Sequence, residues 1–118
     1  MAGEIRRIGV SPRLSMATVH GGAAYLSGQV AIEAGGGPVA EQAVEVLRRI
    51  DALLEEAGTD RTRLLSANLY VADLADLPEI NRIWLEWLAG AEPPCRTTVE
   101  AKLASPRYAL EISVVAAA

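Results

Sequence analysis

The chain has 118 residues, a formal net charge of −4 and a hydrophobic content of 51%. This length suits one domain with its own apolar core, so we expect a single domain over residues 1–118 that needs no metal or disulfide. The acidic balance argues against nucleic acid as a partner, because a phosphate-binding surface needs clustered positive charge. One cysteine, no apolar leader and no long apolar run predict a cytoplasmic protein without a membrane-spanning segment.

Two β-prone runs predict a hairpin near the start of the chain. They cover residues 14–20 and 23–31, and Gly21-Gly22 between them suits a tight two-residue turn. The glycine run 35–37 that follows lacks the spacing of a phosphate-binding loop. It predicts a flexible connection to the next element.

A helix and a third strand follow. Apolar residues recur on one helical face over residues 41–57, and Gly58 provides a stop. Within this helix, Glu45 and Arg49 have the spacing of a favourable ion pair. Residues 64–72 predict the strand, which a crossover connection joins to the hairpin.

The second predicted helix spans residues 76–88. Asp76 is expected to cap it, since an acidic side chain at this position can accept a backbone hydrogen bond. Trp84 and Trp87 lie within this helix. In an acidic chain they are better interpreted as core or interface anchors than as a stacking platform for bases.

Residues 96–103 and 108–116 predict two more strands, which we expect to pair as a hairpin around the turn 104–107. The order ββαβαββ predicts an α+β fold with a mixed sheet and both helices on one face. The other face must then meet water or another copy of the chain.

The alternation within these strands assigns their faces. Val99 and Ile112 are expected under the helices, and the polar side chains on the opposite face. In this register Glu100 lies directly across from Glu111 on that polar face, where two facing carboxylates would raise each other's pKa. Arg96 and Thr98 are expected on the same face as Glu100.

The segment Pro94-Cys95-Arg96-Thr97-Thr98-Val99-Glu100, with Glu111 fifteen residues after the arginine, forms a motif. Together with AYLSGQVA, ANLYVADLAD and LEISVVAA, it resembles the RidA/YjgF family of reactive intermediate deaminases over nearly the whole chain. The resemblance implies a chorismate-mutase-like fold that assembles as a homotrimeric barrel, with a cleft at each interface.

The resemblance also implies an activity without cofactor or metal. Its members hydrolyse 2-imino and enamino acids, such as 2-aminoacrylate and 2-iminopropionate, to 2-keto acids and ammonia. Arg96 matches the arginine that holds the substrate carboxylate, and Glu111 matches the glutamate near the water. Ser27 and Asn81 match residues that shape the substrate pocket.

Two positions depart from the family pattern. Leu14 stands where many deaminases have tyrosine, and Thr98 stands where many have cysteine. We keep both among the substrate-binding candidates because they occupy pocket positions of the family. The resemblance implies that this tyrosine helps to close the pocket, so its replacement by Leu14 bears on both substrate identity and catalytic competence.

The chemistry suits these residue types. A guanidinium binds a carboxylate through two parallel charge-assisted hydrogen bonds, which orients the substrate. A glutamate can hold a water and transfer its proton. His20 is the single histidine, so the sequence offers neither a histidine-based triad nor a multi-histidine zinc site.

Other interpretations of the same residues remain open. A non-catalytic trimer could bind small carboxylates or keto acids, or act on partner proteins. A ribonuclease activity is disfavoured by the negative charge. Ser27 could have only a structural role, satisfying backbone groups in a turn, and Asn81 could have only the role of holding a loop in place.

Overall fold

The computed structural model describes residues 3–118 and contains a mixed six-stranded sheet with two helices. The sheet order is β1-β2-β3-β6-β4-β5, and only the β4–β5 pair is parallel. The predicted α+β fold is therefore confirmed. The elements are β1 Arg6–Val10, β2 Ser15–His20, β3 Ala23–Leu26, α1 Val39–Glu56, β4 Leu64–Val71, α2 Leu77–Leu88, β5 Cys95–Glu100 and β6 Leu110–Ala117, with short 3-10 turns at Arg61–Arg63 and Leu74–Asp76.

The N-terminal part of the chain forms three strands where the sequence predicted two. The β2–β3 hairpin forms as expected, and Gly21 and Gly22 have φ angles of 59° and 81°, which suit a tight turn. Strand β1 was not predicted, because only Ile8 among its five residues is buried. An edge strand with one buried residue carries too little alternation to be recognised.

Both helices lie where the periodicity places them. The predicted apolar face of α1 is buried, and Glu45 pairs with Arg49 at 2.7 Å. The predicted cap of α2 is wrong, since the Asp76 side chain makes no capping hydrogen bond. A 3-10 turn precedes the helix instead, and Asp73 caps that turn by accepting from the Ala75 amide. Trp84 and Trp87 are core residues, as predicted.

The pairing of the last two strands contradicts the prediction. β5 does not form a hairpin with β6; it lies at the sheet edge, parallel to β4, while β6 is inserted between β3 and β4. The physical reason is burial. Alternate residues of β6 are almost fully buried, which suits a central strand, whereas β5 is largely exposed, which suits an edge.

The new pairing reverses the faces of β5. Arg96 aligns with Ala67 and Thr98 with Leu69, both of which are buried on the helix side. Arg96, Thr98 and Glu100 therefore belong to the helix-covered face, and the prediction that placed them on the polar face is wrong. Glu111 aligns with Tyr70 on the opposite, open face.

The open face is half-exposed, while the strand residues beneath the helices are buried. No helix within residues 3–118 packs on it. Neither helix in this range is both long and apolar enough to cross a lipid bilayer.

A buried carboxylate fixes the connection between β3 and α1. Glu45 is 3% exposed and accepts the Ala34 amide at 2.7 Å and the Glu33 amide at 3.2 Å. Burial raises the pKa of Glu45, but hydrogen bonds from Ala34, Arg49 and Glu33 outweigh it, so the pKa lies below its ordinary value. The glycine-rich connection is thus held in place rather than left flexible.

We expect Glu45→Gln to lower the free energy of unfolding by about 1–3 kcal/mol at neutral pH, because the buried amides lose a charged acceptor. A lowered folded-state pKa contributes stability above the ordinary glutamate pKa, and this is lost as pH falls through the folded value. Urea unfolding should therefore show a difference in the free energy of unfolding between wild type and variant at pH 7, and this difference should narrow as the pH falls below the ordinary glutamate pKa. Glu41→Gln, at an exposed site on the same helix, is the control and should show no such difference.

Candidate active site

The first half of the candidate site lies at the exposed edge of the sheet, between β5 and α2. Arg96 is exposed, and its Cζ atom lies 5.7 Å from the centroid of the Trp84 ring. Trp84 is buried, so its ring is a fixed platform for the guanidinium. Arg96 forms no ion pair with any of residues 3–118. A cavity of about 340 Å³ adjoins it, lined also by Asn81, Trp84, Leu85, Pro93 and Pro94.

Asn81 brings an unpaired acceptor to the same cavity. Its Oδ1 atom is buried and has no hydrogen-bond partner in the described chain. Buried polar atoms are nearly always paired, so this oxygen is suited to accept from a group outside the subunit. Thr98 lies two residues along β5 from Arg96, on the same face, and is half-buried. The structure thus brings Arg96, Asn81 and Thr98 to one edge.

The second half of the site lies on the open face of the sheet. Glu111 is half-buried there, and its side chain packs on the backbone of Gly28. A Cβ atom at Gly28 would lie 2.8 Å from Cδ and 3.0 Å from Cγ of Glu111. This close approach explains why residue 28 is glycine, because any side chain at this position would displace the Glu111 carboxylate.

Ser27 and Leu14 lie near this second half. The Ser27 hydroxyl donates to the Ser15 carbonyl at 2.6 Å, so it does satisfy a local backbone group. Ser27 also lines a cavity of about 270 Å³ on the open face, with Arg7 and Thr18. Leu14 ends the turn between β1 and β2 and is 48% exposed. It offers an apolar surface and no hydroxyl.

The two halves are not brought together within one subunit. Arg96 lies on the helix-covered face of β5, whereas Glu111 lies on the open face of β6, with β4 between them. The predicted juxtaposition of Glu100 and Glu111 is also wrong. The Glu100 carboxylate faces the helix side and accepts from the Leu74 amide at 3.1 Å. The two carboxylates are on opposite faces, so they do not form a coupled pair.

Sequence reasoning missed three contributors to these halves. Trp84 was interpreted as a core or interface anchor, and its contact with Arg96 was not predicted. Gly28 was not singled out, although it makes room for Glu111. The unpaired acceptor of Asn81 has no signal in the sequence, because hydrogen-bond satisfaction depends on tertiary packing.

Gly28→Ala should disturb Glu111 with little cost in stability. The new methyl group contacts the end of a flexible side chain, and the backbone at Gly28 does not have a positive φ. If Glu111 acts on the substrate, we expect turnover to fall by about tenfold or more. Thermal unfolding should change little. An unchanged turnover would show that the position of the Glu111 carboxylate does not matter.

Comparison with known proteins gives concordant matches over nearly the whole chain. The family model described as Endoribonuclease L-PSP matches residues 4–118. A RutC family protein from Haemophilus influenzae is 41% identical over 112 residues, covering 95% of this chain and 97% of the relative. RutC family protein YoaB from Escherichia coli is 34% identical over 113 residues, with 96% and 97% coverage. The crystal structure of a YjgF family member from Neisseria meningitidis has a TM-score of 0.93 and 39% identity, with 99% and 97% coverage.

Proposed function

Because the chain belongs to the Endoribonuclease L-PSP family, to which the RutC and YjgF proteins belong, we propose that it hydrolyses reactive 2-imino and enamino acids to 2-keto acids and ammonia. The observation that carries this proposal is the pairing of a free guanidinium with an unpaired buried acceptor in one cavity. A 2-imino acid offers the matching groups, since it has a carboxylate for Arg96 and an imine N–H for Asn81.

Arg96 orients the substrate. Its planar fork makes two parallel hydrogen bonds to the carboxylate, and the Trp84 ring holds the guanidinium from behind. The imine nitrogen then lies beside the Asn81 Oδ1 atom, which accepts a hydrogen bond from the imine N–H. Thr98 borders the same edge and limits the space there. Such positioning exposes the C2 carbon to attack from one direction.

Glu111 handles water and proton. It accepts a proton from water as the water oxygen bonds to C2 and the C=N bond becomes a single bond. Glu111 returns this proton to the nitrogen, which gives a carbinolamine. The proton of the new hydroxyl group then passes through the same carboxylate to the nitrogen, the C2–N bond breaks, and ammonia leaves as the C2–O bond becomes a carbonyl. The sum is imine plus water to keto acid plus ammonia, with no electron transfer. No cofactor is required for this balance.

The functional site is composite in this proposal. Arg96 and Glu111 occupy opposite faces within a subunit, so a second copy must bring its edge to the open face of the first. Half-exposed apolar side chains on that face, including Tyr25 and Val115, suit such a contact. We place the two halves at the interfaces of a cytoplasmic homotrimer, with Ser27 and Leu14 lining the cleft beside Glu111.

A non-catalytic keto-acid binder is the second candidate, and one observation favours it. The carboxylate-binding half has the Arg96 guanidinium and the unpaired Asn81 oxygen. In the water-handling half, the Ser27 hydroxyl already donates to a backbone carbonyl, and Leu14 has no proton to supply. Binding could therefore be present without turnover. Such a protein would keep the Arg96 site and lack rate enhancement.

Freshly generated 2-iminopropionate tests the hydrolase directly. We expect the protein to raise ammonia release well above buffer, with pyruvate formed in equal amount. Pyruvate binding without any such enhancement would contradict the hydrolase and support the binder. The description of the family model suggests a third outcome, and cleavage of a single-stranded RNA in the same preparation would indicate it.

A further inference from the structure

A second cation lines the open-face cavity beside Ser27. Arg7, Thr18 and Tyr25 are aligned across β1, β2 and β3, and Tyr25 aligns in turn with Val115 of β6. All of these side chains lie on the face that carries Glu111, because aligned residues point to the same side of a sheet. The cavity of about 270 Å³ is lined by Arg7, Ser15, Thr18, Tyr25 and Ser27, together with Leu26.

The chemistry of this cavity is that of an anion site. Arg7 lines the cavity together with Thr18 and Tyr25, two residues that carry hydroxyl groups on the same face of the sheet. Arg7 is exposed and pairs with no carboxylate in the described part of the chain. The neighbouring Arg6 is different, since it points to the other face and donates to the Glu56 carbonyl at 2.6 Å. Of these two arginines, Arg7 is the one that faces the open side of the sheet.

The cavity adjoins the proposed reacting centre. Ser27 lines the cavity, and the next residue, Gly28, supports the carboxylate of Glu111. A substrate whose C2 atom lies beside Glu111 would therefore direct its side chain along the open face towards Arg7. In the proposed function, Arg96 of the neighbouring copy holds the α-carboxylate at the opposite end. The cleft then has a cation at each end.

We propose that Arg7 binds a second, distal carboxylate, so that the preferred substrates are 2-imino dicarboxylic acids. This inference rests on the proposed function and names its substrate class. Strands lie ~4.8 Å apart, and Arg7 is two strands away from Ser27, so a short acidic side chain would not reach. We assign the substrate a chain of five or six carbons. A carboxylate suits the site because the guanidinium fork and neighbouring hydroxyls match its two oxygens.

Binding of matched keto acids tests the assignment. 2-Oxoglutarate and 2-oxopentanoate have the same carbon chain and differ by the distal carboxylate, as do 2-oxoadipate and 2-oxohexanoate. Calorimetry should show that the wild type binds the diacid of each pair at least about tenfold more tightly. Arg7→Gln should remove this preference and leave binding of the monoacids unchanged. Arg6→Gln, which alters a cation on the other face, should retain it.

Each result separates this inference from the proposed function. Equal affinity of the wild type for diacids and monoacids would overturn the role of Arg7 while leaving the carboxylate site of Arg96 intact. If the Arg7→Gln variant still binds diacids more tightly than monoacids, the role of Arg7 is likewise overturned. If no keto acid binds, or if Arg96→Ala binds all four as the wild type does, the proposed function fails and this inference with it. Circular dichroism confirms that each variant is folded.

Discussion

Replacing Arg96 with alanine should lower kcat/KM for 2-iminopropionate by about 10³-fold, because the substrate loses both its anchor and its orientation. Arg96→Lys keeps the positive charge without the planar fork, so we expect it to recover only part of the activity. Stability should fall by about 1 kcal/mol or less, which is the value of the lost contact with Trp84. Steady-state ammonia release and urea unfolding measure the two effects.

Arg82→Ala is the matched control for this variant. Arg82 is also exposed, but it pairs with Glu79 and Glu86 on the surface of α2. Its loss should leave turnover near the wild-type value. Equal effects of the two substitutions would mean that charge alone, and not the site, governs activity. Wild-type activity in Arg96→Ala would remove Arg96 from the mechanism.

Glu111→Gln should lower kcat by about 10²–10⁴-fold, since the amide cannot take a proton from water. The glutamine side chain has nearly the same shape and polarity as the glutamate that it replaces, so the variant should still bind pyruvate. The loss should therefore appear in kcat rather than in ligand affinity. Single-turnover ammonia release, combined with pyruvate titration, separates the two quantities.

Glu100→Gln is the control for the carboxylate position. Glu100 lies on the helix-covered face and accepts from the Leu74 amide, away from the open face. We expect near-wild-type turnover from this variant. If Glu100→Gln is as inactive as Glu111→Gln, the assignment of Glu111 to the reacting side is wrong.

The helices and most strands were predictable because they depend on local periodicity. The apolar face of α1 recurs at helical spacing, and β6 alternates at a spacing of two. The pairing of β5 and β6 was not predictable in this way. Alternation fixes which residues of a strand share a face, but not which neighbour the strand has or which face the helices cover.

The residues of the candidate site follow from the motif, whereas their arrangement in the fold does not. The motif around Arg96, with Glu111, led to the RidA/YjgF resemblance, and the matches to RutC and YjgF proteins confirm it. The position of Arg96 on the helix-covered face follows from its parallel pairing with β4, which no local pattern encodes. The division of the site between two faces was therefore visible only in the folded chain.

Mixing two inactive variants tests the composite site most directly. Arg96→Ala retains Glu111, and Glu111→Gln retains Arg96, so co-refolded oligomers contain some interfaces with both intact groups. Random assembly makes about one quarter of the interfaces intact, and we expect about one quarter of wild-type turnover, with mixed oligomers verified by native mass spectrometry. Turnover no higher than the average of the two parent variants would contradict a site shared between subunits.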